Sequence, residues 1–159
     1  MQLNDPSILR VNAYVDGNWV TSKKRFGVTN PANGELVAEV ADLGATEVTA
    51  AIDAAVMAQR QWANRTAKDR AMIMRKWHDL IIANAEDLAV ILTTEMGKPL
   101  AEARGEIAYG ASFIDWFAEE ARRICGDVLE TPQSDKRLLT FKQPVGVFGA
   151  ITPWNFPIA

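Results

Sequence analysis

One cysteine, Cys125, and one histidine, His78, are all that 159 residues contain of those two types. A lone thiol closes no internal disulfide, and no Cys/His cluster is present to hold a transition metal, so a metal site is not expected. No stretch approaches the roughly 18 consecutive apolar residues that a membrane span requires. The opening MQLNDPSILR lacks the basic leader and apolar core of a secretory signal, and a cytoplasmic location is the expectation. Neither sign of charge is in excess: 17 basic and 20 acidic residues are mixed along the chain, for a net charge of −3. That balance leaves no basic stripe to neutralise a phosphate backbone, which argues against nucleic acid as a partner. The glycines of Gln143-Pro144-Val145-Gly146-Val147-Phe148-Gly149 do not make a G-x-G-x-x-G fingerprint, no P-loop is present, and nothing repeats. What is present, 48% hydrophobic and 23% charged residues, is the composition of an ordinary globular domain with a core.

The first 40 residues read as β structure. Ala13-Tyr14-Val15 and Trp19-Val20 flank Asp16-Gly17-Asn18, where an Asp-Gly step suits a tight hairpin turn. A second extended pair, Phe26 to Thr29 and Glu35 to Val40, is joined by the turn-forming Asn30-Pro31-Ala32-Asn33-Gly34. The period then changes. From Thr46 to Trp62 the apolar residues recur at helical spacing, with Glu47 in the first turn, where the helix dipole favours a negative charge. Thr66 with Asp69 marks the start of a second helix, whose apolar stripe is Ile73, Trp77, Leu80 and Ile81. Asn84 ends it and opens a third, which stops at Gly97 and Pro99. The longest helical pattern follows: Ala103, Ile107, Gly110, Ala111, Ile114, Phe117, Ala121 and Ile124 recur at three- and four-residue steps up to Gly126. Small residues at Gly105, Ala108, Gly110, Ala111 and Ser112 would let another backbone approach. Asp127 to Lys136 reads as a loop, Arg137 to Lys142 as a strand, and Val147 to Ile151 as a short apolar strand buried on both faces of a parallel sheet. Hairpins, a helical block and a buried strand in this order predict the front part of an α/β fold, since a parallel strand needs neighbours.

Few residues offer chemistry. Asn155 sits four residues past the last strand residue, between Pro153 and Pro157. Ligands of open α/β sheets bind outside the carboxyl ends of strands, and a side-chain amide there could donate to a developing oxyanion. An asparagine between prolines is also an ordinary turn residue, and on pattern alone both readings stand. Cys125 is the one available thiol. Its place at a helix C-terminus disfavours a thiolate, and it reads as a small apolar residue at the end of the core stripe. His78 reads as lying half solvated on the flank of the Ile73, Trp77, Ile81 face. Glu102, Glu106, Glu119 and Glu120 read as solvated helix faces, with Glu119 and Arg123 spaced as a surface pair.

Several stretches together resemble a known family. Pro144-Val145-Gly146-Val147 followed by Ile151-Thr152-Pro153-Trp154-Asn155-Phe156-Pro157 resembles the segment with which aldehyde dehydrogenases enter their nucleotide-binding sheet. Glu95-Met96-Gly97-Lys98-Pro99 with Glu102-Ala103 is similar to a second signature of that superfamily. Tyr14 to Val20 and Asn30 to Glu35 are similar to its amino-terminal hairpins. Within the superfamily, Glu102 to Gly110 and Phe113 to Ala121 look most like bacterial succinate-semialdehyde dehydrogenases. The resemblance implies the amino-terminal part of a nucleotide-binding α/β domain over residues 1–159, with hairpins in 10–40, a helical block in 45–126, and strands opening the cofactor sheet in 137–159.

It further implies oxidation of an aldehyde, succinate semialdehyde in the narrower resemblance, with NAD or NADP, in full-length members that are homo-oligomers. By the same resemblance Asn155 donates its amide to the thiohemiacetal oxyanion. Ile151, Thr152, Pro153 and Trp154, with Asn155, line the nicotinamide-ribose side of the cofactor cleft, and Phe156 approaches the substrate. The nucleophilic cysteine and general-base glutamate of the family lie downstream of residue 159 by this match, and Cys125, which precedes Asn155, is not that nucleophile. The expectation is therefore a chain inactive by itself. The alternative is a non-catalytic remnant or assembly module, pairing through Tyr14 to Val20 or Leu138 to Phe141 with a full-length dehydrogenase.

Overall fold

The computed structural model describes residues 1–159. Its amino-terminal region holds two antiparallel hairpins. Strand β1 (Ala13–Val15) pairs with β2 (Asn18–Val20), and the connecting Asp16 and Gly17 both take positive φ, 49° and 77°, as the expected two-residue turn requires. Strand β3 (Arg25–Thr29) pairs with β4 (Leu36–Ala41). In the turn between them Asn30 accepts from the Ala32 N–H and Asn33 accepts from the Glu35 N–H, at 2.9 and 3.0 Å. Arg25 ties this hairpin to the chain before it, donating to the Glu39 carbonyl at 2.9 Å and the Val11 carbonyl at 3.3 Å.

Four helices follow, α1 (Ala45–Ala63), α2 (Ala67–Ala83), α3 (Ala85–Met96) and α4 (Leu100–Glu120). Their boundaries have local causes. The Glu47 carboxylate accepts from the Gly44 N–H at 2.9 Å, and the Thr66 hydroxyl accepts from the Asp69 N–H at 3.1 Å, each satisfying a donor near the start of a helix. Asn84 closes α2 and opens α3. Gly97 takes φ 85° and ends α3 in the left-handed conformation. A Cβ on Gly97 would lie 2.7 Å from Pro31 Cγ, so the turn of the second hairpin rests on the α3–α4 corner.

Helix α4 packs against both α2 and α3. Its buried stripe is Ala103, Glu106, Ile107, Gly110, Ala111 and Ala118, in which the alanines and the glycine let neighbouring backbones come near. Ala103 and Ile107 form the core with Ala89 and Leu92 of α3, and Ile81, Leu88, Met96 and Ile158 pack around it. Arg104 adds a bidentate ion pair to Glu86 across α3 and α4, at 2.7 and 2.8 Å. These bonds hold the Glu86 carboxyl below its ordinary value. What the pair adds to stability is therefore present at neutral pH and lost as pH falls through that lowered value.

Several expectations need correction. Gly105, Ala108 and Ser112 are exposed, because α4 turns that side away from α2 and α3. Ile73, Trp77 and Leu80 of α2, and Phe117 and Ile124 at the end of the α4 pattern, are exposed too; helical period alone does not supply a partner that covers them. Helix α4 stops at Glu120, short of Gly126. The 127–136 stretch is not all loop: β5 (Val128–Leu129) pairs antiparallel with β6 (Leu138–Leu139), which is all that forms of the 137–142 strand. Val147 to Ile151 joins no ladder, and Ile151 is 99% exposed. A strand exists through its neighbours' hydrogen bonds, and none is at hand here. No helix is long and apolar enough to cross a membrane.

The extreme amino terminus is held by one carboxylate. Asp87, buried on α3, accepts from the backbone N–H groups of Asn4 and Asp5, each at 2.8 Å, and from the Asn4 side chain at 3.1 Å. Hydrogen bonds to a charged group contribute about 1.5–3 kcal/mol. Asp87→Ala is expected to lower the urea-unfolding free energy by about 2–3 kcal/mol and to speed hydrogen exchange at Asn4 and Asp5.

Candidate functional site

The chain turns sharply between α3 and α4, and the residue inside that corner is Lys98. Gly97 reverses the chain before it, and Pro99 opens α4 after it. The lysine is thereby aimed inward, and it is only 7% exposed. Glu106 stands on the buried stripe of α4 and is 3% exposed. The Lys98 ammonium donates to Glu106 Oε2. Separating either charge from water is costly unless it is paired and its remaining donors and lone pairs are satisfied.

Those remaining groups are satisfied by the carboxyl-terminal segment. Lys98 Nζ donates to the backbone carbonyl of Asn155 at 2.9 Å and lies 4.2 Å from the centre of the Phe156 ring, a cation–π distance. Glu106 Oε1 accepts from the Ile158 N–H at 3.1 Å. One turn along α4, Gly110 makes room for that segment: a Cβ there would stand 2.5 Å from the Ile158 carbonyl oxygen. The Phe156 N–H donates to the Pro153 carbonyl at 3.1 Å, closing a tight turn around Trp154 and Asn155. Asn155 is thus a turn residue, as its flanking prolines suggest, held through its main chain. Its side-chain amide takes no part in these bonds and is free to donate elsewhere.

Around it, Ile151, Thr152, Pro153 and Trp154 are exposed, Trp154 by 81%. Phe156 keeps one face over the lysine and is otherwise partly open. A largely apolar, exposed stretch thus stands beside a side-chain amide that takes no part in these bonds.

The other candidates fall outside this cluster. Cys125 is exposed, in the turn after α4, with its N–H on the Arg123 carbonyl at 2.8 Å. His78 is half-buried, 2.9 Å from Asp79 Oδ1. Glu102 is exposed in the first turn of α4. Glu119 and Glu120 do lie on the surface, but the expected Glu119–Arg123 pair is replaced: Glu119 meets Arg75 at 2.7 Å, and Arg123 meets Glu120 at 2.8 Å. The reading of Glu106 as a solvated carboxylate is wrong. It lies three residues after Ala103 and four before Gly110, on the core stripe itself, and that phase was the signal. Lys98 carried a weaker one, an ammonium locked between a helix-ending glycine and a helix-starting proline.

The model of one family, the aldehyde dehydrogenase family, matches residues 19–159. The chain belongs to the aldehyde dehydrogenase family. It is 53% identical to a glutarate-semialdehyde dehydrogenase of Pseudomonas putida over its whole length, which is 34% of that protein. It is 52% identical to the NADP(+) succinate-semialdehyde dehydrogenase GabD of Escherichia coli, again over the whole chain and 33% of the relative. The solved succinate-semialdehyde dehydrogenase of Burkholderia pseudomallei superposes with a TM-score of 0.95 at 55% identity, over 99% of this chain and 33% of that one. The chain therefore has the aldehyde dehydrogenase fold over its amino-terminal part and spans about a third of the length of these relatives.

Gly110 supplies a test of the contact between α4 and the Asn155 segment. Alanine is preferred over glycine inside a helix by about 1 kcal/mol, so Gly110→Ala should leave α4 intact or firmer. Its methyl group would push the Ile158 carbonyl away. The expected result is faster hydrogen exchange at Ile158 with unchanged helical circular dichroism.

Proposed function

We propose that this chain forms the oxyanion-donor and nicotinamide-side portion of an NAD(P)-dependent dehydrogenase, one that oxidises a small aldehyde with a distal acid group, succinate semialdehyde first among them. The observation that carries the reading is the state of Asn155: its backbone is tied to a buried ammonium while its amide is left free, in a chain of the aldehyde dehydrogenase family. The relatives named for succinate and glutarate semialdehydes share one substrate pattern, an aldehyde at one end and a carboxylate at the other.

In this reading the Asn155 amide donates to the aldehyde oxygen as negative charge develops there. A donor fixed in advance stabilises that charge without reorganising at the moment of reaction. Ile151, Thr152, Pro153 and Trp154 form the wall against which the nicotinamide ribose rests, and Phe156 borders the substrate. The bound cofactor supplies the hydride acceptor. In this reading Cys125, exposed in the turn after α4, is not the nucleophile, and the 159-residue chain alone does not turn over. A second reading has its own observation: β5 and β6 are two residues each, with Val128, Leu129, Leu138 and Leu139 all exposed. Such a ribbon could add to the sheet of a complete dehydrogenase. Co-purification with that enzyme would favour this reading.

The test is turnover. A full-length polypeptide carrying these residues should oxidise succinate semialdehyde with matching formation of NADH or NADPH, and Asn155→Ala should lower kcat about 10²–10³-fold. A full-length wild type that is inert toward semialdehydes, or an Asn155→Ala enzyme with unchanged kcat, would sink the reading. Turnover by the isolated 159-residue chain would refute its assigned dependence on further sequence.

A further inference from the structure

We propose that Lys98 and Glu106 are positioning residues for Asn155: the buried ion pair between the α3–α4 corner and α4 sets where the asparagine amide points. The inference rests on the reading of Asn155 as the oxyanion donor and names the residues that make it one. Lys98 Nζ grips the Asn155 carbonyl at 2.9 Å, which fixes the main-chain atoms from which the amide projects. Its cation also faces the Phe156 ring at 4.2 Å, so the residue following Asn155 is held by the same group. Glu106 serves twice. One oxygen accepts from the ammonium and holds it in place, and the other holds the Ile158 N–H at 3.1 Å. Pro157 removes one backbone freedom between these attachments, and Pro153 removes one just before them. An amide meant for an oxyanion must be held to within about 0.5 Å, by neighbours that are themselves locked. A buried lysine gripping the backbone does this while leaving every donor of the asparagine side chain free.

A structural pair would only hold the segment down, whereas a positioning pair controls Asn155 in particular, and the two can be separated. In Lys98→Met/Glu106→Gln both charges go together, so no unpaired charge is left in the core. The amide introduced on α4 can still accept from the Ile158 N–H, while nothing holds the Asn155 carbonyl. In the nitrogen-15-labelled 159-residue chain, exchange at Ile158 and along α4 should stay within about twofold of wild type, whereas the order parameter of the Asn155 N–H should fall from about 0.85 to below about 0.6. Lys98→Arg, which keeps the charge opposite Glu106 but enlarges the head group, should also loosen Asn155 and guards against a double variant that does not fold. An Asn155 that stays ordered in either folded variant overturns the proposal.

In a full-length enzyme carrying the same residues, the double variant should lose at least tenfold in kcat with KM little changed. Equal kcat values in variant and wild type overturn positioning while leaving the dehydrogenase reading intact. An inert wild type would instead overturn the dehydrogenase reading, and the positioning role with it.

Discussion

A lysine and a glutamate brought together out of water tie the Asn155 segment to α4 and to the corner before it. Neither Lys98 nor Glu106 could be buried alone, because an uncompensated charge in the core costs several kcal/mol. Together they are tolerated only while their remaining polar atoms find partners, and those partners are the carbonyl of Asn155 and the N–H of Ile158. The demand propagates outward. The corner must turn inside one residue, which Gly97 allows with its φ of 85°; α4 must present a bare position where the segment crosses, and it has Gly110. Ile158 must then sit on the core cluster of Ala89, Leu92, Ala103 and Ile107. Local backbone chemistry and distant contacts here answer to one electrostatic requirement.

The rest of the molecule is bound more lightly. Only 12 of 159 residues are buried, fewer than the apolar composition could supply, and the surplus is on view. Trp77 and Leu80 on α2, Phe113 and Trp116 on α4, and Phe141, Val145 and Phe148 beyond β6 are all exposed. Apolar surface on this scale marks places where other protein packs. Its distribution is uneven in a useful way: the face of α4 toward α2 and α3 is closed, while the stretch leading into Asn155 is bare until the Lys98 pair takes hold. The turn at Asn155 is thus a fixed point between an uncovered segment and a packed one.

How much of this the sequence made legible depended on the range of the forces involved. The hairpin turn at Asp16-Gly17, the Thr66 cap, the shared Asn84 and the stop at Gly97 are decided within a few residues, and each is found where pattern places it. The family was legible as well, because its motifs are contiguous. Burial was not, since it depends on what lies opposite. Trp77 has the period of a core residue and no neighbour to bury it, while Glu106 has the chemistry of a surface residue and a lysine eight positions back to bury it with. The strand expected at Val147 to Ile151 failed for the same reason, a ladder being a property of two segments. Asn155 could be singled out by its prolines, but what holds it could not, because the ammonium beneath it is 57 residues away.

Asp87 imposes an order in time. Its carboxylate seats Asn4 from a distance of 83 residues, so the stretch around Asn4 leaves the ribosome without this partner until α3 has emerged. Synthesis at about 5–20 residues per second leaves that stretch waiting for several seconds at least. A part of the polypeptide made early therefore gains one of its anchors late, and a protease meeting the nascent chain would find Asn4 and Asp5 not yet tied to α3.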